Sequence, residues 1–179
     1  MATVINIGND AVTRSSSFAN YTIVDKKNPA NESGKITSIE IYAHANMSDC
    51  EVAIFYIESG TNLTTRDNCI IGSVTAGSKQ TFTKDSSNNN ISLTAVKGDF
   101  IGIWFTAGSI KMDTGGGIGF YYKAGDNIPC ENTTFSYMAN WTISLHGIGT
   151  TAVGWAHKWN GVTIGKLNGA VISKWNGIA

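Results

Sequence analysis

The sequence predicts an all-β protein: an antiparallel β-sandwich of jelly-roll or Ig-like type, followed by a short C-terminal β-repeat tail. Three observations lead there. No stretch sustains an i, i+3, i+4, i+7 apolar stripe, and twenty glycines interrupt every candidate helix. Runs of β-branched and aromatic residues recur at roughly ten-residue spacing, separated by turn residues. The end of the chain, KWNGVTIGKLNGAVISKWNGIA (158–179), repeats itself in steps of eight.

In chain order the runs are TVINIG (3–8), NYTIV (20–24), KITSIEIYAH (35–44), EVAIFYI (51–57), CIIGSVT (69–75), ISLTAV (91–96), DFIGIWFT (99–106), GIGFYYK (117–123) and WTISLHG (141–147). The first two are weak and suit an edge strand and arm within 1–33. EVAIFYI and DFIGIWF are apolar on both faces, as central strands of a packed sandwich are. In WTISLHG, Trp141, Ile143 and Leu145 alternate with Thr142, Ser144 and His146, which predicts one face to the core and one to water. Asn28-Pro29, Glu58-Ser59-Gly60, Lys97-Gly98-Asp99 and Gly125-Asp126-Asn127 punctuate the runs as turns. Residues 34–147 thus form the sandwich core, 148–157 read as a linker, and 158–179 as a separate tail. Of the two sandwich types, the jelly roll is preferred.

Charge narrows the function. Only 15% of residues are charged and Lys+Arg equals Asp+Glu, so the net charge is zero. A neutral surface has no electrostatic pull on nucleic acid or anionic membrane, so neither is an expected partner. It also repels its own copies little, which suits assembly. The start, MATVINIGNDAVTRSSSF, lacks the basic and apolar regions of a signal peptide, which predicts synthesis in a reducing compartment. Cys50, Cys69 and Cys130 are odd in number and lack metal-ligand spacing. Buried free thiols are the expectation, and a Cys50–Cys69 bridge stays open. Asn-x-Ser/Thr triplets at Asn20, Asn31, Asn46, Asn62, Asn90, Asn132 and Asn140 then follow from an Asn- and Thr-rich surface.

Catalytic constellations are not apparent, so no enzyme and no cofactor is expected. His44, His146 and His157 are far apart in the chain and suit strand ends or the surface. Residues 72–79, GSVTAGSK, approach the spacing of a phosphate-binding loop but lack its Gly-Lys-Ser/Thr order and its following helix, and read as a hairpin turn. The glycines of MDTGGGIGF (112–120) fit a loop with positive φ or close backbone approach. Asp113, with Asp99 or Asp126-Asn127, offers oxygen ligands for Ca²⁺ without the spacing of a calcium loop, so no metal site is assigned. Trp104, Phe105, Phe120, Tyr121, Tyr122, Tyr137 and Trp141 read mainly as core. Tyr121 and Tyr122 are the candidate glycan-binding pair, because neighbours on a strand face opposite ways and one must leave the core unless both sides are covered.

The tail carries the clearest pattern. Asn160-Gly161, Asn168-Gly169 and Asn176-Gly177 are hairpin-turn dipeptides, since both residues tolerate positive φ. Between them Trp155, Trp159, Ile164, Leu167, Ile172 and Trp175 supply apolar surface that strands so short cannot bury alone. These twelve residues are the expected oligomerisation and attachment elements. Their partner surface is the protein's own body or the same tail in other copies, the latter giving a three-fold stalk.

The Met-Ala-Thr start, the Asn-Pro-Ala-Asn turn (28–31) before GKITSIEIY, the TAGSKQTF turn, VKGDFIGIWF, the Gly-rich loop after SIKMD and the closing Trp-Asn-Gly repeats resemble β-sandwich virion proteins of tailed bacteriophages. Those are head-decoration, fibre and tail-surface proteins. The resemblance spans most of the chain and is one of style, with no catalytic residues to transfer. It implies a non-enzymatic structural protein on the virion surface, a homo-oligomer such as a trimer, in contact with other virion proteins. The alternative is a carbohydrate-binding module that takes cell-surface glycans.

Overall fold

The computed structural model describes residues 2–151 and, beyond them, the backbone of 157–159 and 162–164. Its strands are β1 (Val4–Gly8), β2 (Ser16–Phe18), β3 (Tyr21–Asp25), β4 (Gly34–Ser59), β5 (Asn62–Val74), β6 (Lys79–Phe82), β7 (Leu93–Ala95) and β8 (Phe100–Trp104). They continue as β9 (Ala107–Asp113), β10 (Gly119–Ala124), β11 (Thr133–Thr134), β12 (Ser136–Ala139), β13 (Thr142–Ile143), β14 (Leu145–Thr150), β15 (His157–Trp159) and β16 (Val162–Ile164). The protein is all-β, and no helix interrupts the described residues. Fourteen strands join in one antiparallel network, along the path β1-β14-β4-β8-β3-β10-β12 with side branches through β4, β5 and β9.

The backbone of this network is β4, 26 residues long. KITSIEIYAH and EVAIFYI, two strands by sequence, are its two halves. Bulges near Ala45, Ser48 and Cys50 let one strand bend from one set of neighbours to another. Its first half pairs with β14 on one side and with β6 and β7 on the other. Its second half pairs with β5 and β8. β6 therefore joins β4 and not β5, so GSVTAGSK is a connection between two partners of β4 and not a hairpin turn.

Inward-facing isoleucines hold the two regions together. Ile5, Ile7, Ile36, Ile39 and Ile41 from the first meet Ile54, Ile101 and Ile103 from the second in one core with no exposed surface. Each such side chain contributes about 1.5–3 kcal/mol by leaving water. Gly147 of β14 has no side chain because Ile7, Ile36 and Ile101 fill the space: a Cβ there would lie 2.7 Å from Ile7 and 3.1 Å from Ile101. β14 runs on to Thr150, into the stretch that reads as a linker, because Ile148 and Gly149 still pair with Ser38 and Ile36.

A second, smaller core covers the opposite face of β3, β8 and β10. It comprises Val24, Ala53, Phe55, Leu63 and Tyr121 under Ile128 and Phe135. The outward face expected for WTISLHG is corrected here: Thr142 and Ser144 are buried, at 4% and 0% exposure. Gly117 lies close against the Thr142 hydroxyl, and residues 12–14 cover Ser144, whose Oγ donates to Val12 O at 2.7 Å and accepts from Arg14 Nε at 2.8 Å. That cover comes from a segment some 130 residues away in sequence, which the local alternation does not reveal.

Candidate functional site

In the tail, β15 and β16 pair His157 with Ile164, Lys158 with Thr163 and Trp159 with Val162, so the partners bracket Asn160-Gly161. They form a two-stranded ladder separate from the fourteen-stranded network. Of the expected attachment residues, Trp159 and Ile164 lie in these strands. Trp155, Asn160, Gly161, Leu167, Asn168, Gly169, Ile172, Trp175, Asn176 and Gly177 fall outside the described residues.

Tyr121 and Tyr122 do not share a platform. Tyr121 is 3% exposed and belongs to the smaller core. Tyr122 faces the other way, edge-on to Phe18, Tyr21 and Phe120. Both faces of β10 are covered, one by the rings of Phe18, Tyr21 and Trp141 and the other by the 128–135 segment, so neither ring is left over. Tyr137, 40% exposed, lies beside Tyr121 and holds the Lys26 ammonium 4.8 Å from its ring centroid.

The three aspartate positions considered for Ca²⁺ are not brought together, and each has its own donors. Asp113 accepts from Arg14 Nη1 at 3.1 Å and from Ser15 N and Oγ. Those bonds hold its carboxyl below the usual range, the Ser15 amide foremost. Asp99 is forked by Arg66, and Asp126 accepts from Ile128 N at 3.0 Å. His44 is exposed, while His146 stands 3.5 Å from Glu40.

A cleft of about 400 Å³ runs beside β1, lined by Asn6, Asp10, Asn28, Asn31 and His146. The side-chain amides of Asn28 and Asn31 are already engaged. Asn31 Oδ1 accepts from Asn6 N at 2.8 Å, Asn31 Nδ2 donates to Val4 O at 3.2 Å, and Asn28 Nδ2 donates to Gly8 O at 3.0 Å. The Asn-Pro-Ala-Asn turn therefore closes the outer edge of β1, which would otherwise offer a free strand edge to another chain. This cleft is an edge guard.

A different surface stays open. Trp104 on β8, Glu51 on β4 and Ile70 on β5 are direct cross-strand partners in one row, and side chains so paired share a face. It is the face of the smaller core, since Trp104 packs against that cluster. The cover of Ile128 and Phe135 stops short of the row: Ile70 is 51% exposed, and Trp104 and Glu51 are half-buried. Asn68 Nδ2 donates to Glu51 Oε1 at 2.6 Å. Partial burial raises the Glu51 pKa, the Asn68 bond pulls it down, and the charge of Asp126 raises it further. The row offers an aromatic face, an aliphatic face and a carboxylate that is in no ion pair among the described residues.

Trp104 was visible in the sequence as one aromatic among many. Glu51, Asn68 and Ile70 were not, because the row exists only through the registers of three strands. No family model, no curated protein and no solved structure matches this chain.

Proposed function

We propose that this chain is a non-enzymatic structural protein of the virion surface, of the kind that decorates phage heads, fibres or tails, and that it assembles with its own copies through the repeat at 158–179. The observation that supports this reading is a division of labour within the chain. Residues 4–150 close a fourteen-stranded network around two apolar cores, and the tail's strands pair with each other outside it. A body with its own cores needs no repeat to complete it, so the repeat is free to serve contact with other chains. In the same proposal, the first half of β4 with β1 and β14, facing β8 across Ile101, forms one layer of a jelly-roll-like sandwich and the second half the other.

Light scattering tests the assembly reading directly. The full chain is expected to run as a defined oligomer, and residues 1–151 as a folded monomer. A monomeric full chain overturns the proposal.

A further inference from the structure

Building on the assembly reading, we propose that the Trp104–Glu51–Ile70 row is the surface on which the C-terminal repeat of a neighbouring copy docks. Of the thirteen basic residues, Lys158, Lys166 and Lys174 lie in 152–179, and none of the thirteen acidic ones does. The tail therefore carries +3 and the rest of the chain −3, although the whole is neutral. Opposite charges on body and tail draw one copy's tail towards another's body.

Wherever a segment runs extended, residues two apart share a face. Ile164 with Lys166, and Ile172 with Lys174, then present an aliphatic group beside an ammonium, twice, eight residues apart. The row presents the complement: Trp104 and Ile70 on either side of Glu51, with the Asp126 charge close enough to act on it. An isoleucine on the indole and a lysine on the carboxylate satisfy both halves of the pattern. The exposed 51% of Ile70 and the open side of Trp104 leave water on the same contact.

β14 ends at Thr150, paired with Lys35 at the start of β4 and with Val4 of β1. That layer faces the Ile101 side of β8, whereas Trp104, three residues on, looks out from the other side. A tail leaving from Thr150 therefore starts on the side of its own body that faces away from its own row.

Charge reversal tests this on the full chain, with association followed by sedimentation and light scattering and folding by circular dichroism and melting temperature. Glu51→Lys is expected to weaken association at least tenfold with the fold intact, as is Lys166→Glu with Lys174→Glu. Combining all three is expected to recover it. Trp104→Ala, checked for folding in the same way, is expected to weaken association without changing its salt dependence. If Glu51→Lys assembles like the parent while removal of 152–179 abolishes assembly, the tail assembles elsewhere and the docking surface is wrong, though the assembly reading stands. If that removal also changes nothing, both are overturned. Loss in both charge-reversed forms without recovery in the combination contradicts direct contact. So does a glycan array on which Glu51→Lys loses a sugar that the parent binds while its oligomer is unchanged.

Discussion

Arg66 and Asp99 join fork to fork, tying β5 to the turn before β8. Arg66 Nε donates to Asp99 Oδ2 and Nη2 to Oδ1 at 3.1 Å, and Val96 N donates to the same carboxylate at 2.8 Å. The Asp99 side chain is 4% exposed, and the guanidinium lies 4.5 Å above the Tyr56 ring. Asp99→Ala removes three acceptor bonds and leaves a half-buried cation, a loss of about 2–4 kcal/mol. Asp99→Asn keeps the shape and one acceptor and costs about half as much. Urea unfolding midpoints measure both, and an Asp99→Ala midpoint equal to the parent contradicts a structural role for this pair.

Asp25 makes stability depend on pH in the less familiar direction. It is 1% exposed, and burial pushes its carboxyl up to about 6, against the Lys27 amide and the Asn9 side chain, which pull it down. An unfolded Asp titrates near 4. Between about pH 4 and 6 the unfolded chain therefore gives up this proton first, and stability falls as pH rises. The contribution is fully present below pH 4 and gone above 6, up to about 3 kcal/mol at 1.4 kcal/mol per unit. Subtracting the Asp25→Asn stability profile from the parent's should expose this slope. A flat difference from pH 4 to 7 contradicts it.

Gly149 marks the place where β14 crosses the bulge of β4. A Cβ there would sit 1.9 Å from Lys35 O and 2.7 Å from Ile36 Cα, both backbone atoms that cannot turn aside. Gly149→Ala should therefore destabilise by several kcal/mol, on the scale of severe overpacking of about 1–3 or more. Gly115→Ala, with nothing within 4 Å of the added carbon, serves as the control and should melt like the parent.

Cys50 and Cys69 are free thiols whose pKa burial raises to about 12. Their cross-strand partners are Gly72 and Val52, so they do not face each other for a bridge. At pH 8 both thiols therefore stay protonated and unreactive. A disulfide reagent should label both only after denaturation, and rapid labelling of Cys50 in the native protein contradicts its burial.

Strand identity was legible because it is local. All nine β-rich runs fall on strand residues, since β-branched and aromatic residues between turn residues carry that signal within a few positions. What depends on distant partners was not. β4 reads as two strands because Ala45-Asn46 and Ser48-Asp49 look like a turn, while the chain uses them as bulges. Thr142 and Ser144 look solvent-facing until Gly117 closes on the first and residues 12–14 lie over the second. β9, AGSIKMD, carries little strand signal because its glycine and its one lysine mask the alternation that buries Ile110 and Met112. The open row had no signal of its own, for Glu51 meets Trp104 and Ile70 only once two registers are set.

The most direct measurement is the mass in solution of the full chain beside that of residues 1–151, by light scattering at the same concentration. The expected result is a defined oligomer for the first and a monomer for the second, both with the same all-β circular dichroism spectrum and closely similar melting temperatures. Equal masses for the two, or a body that unfolds when 152–179 are removed, contradicts it.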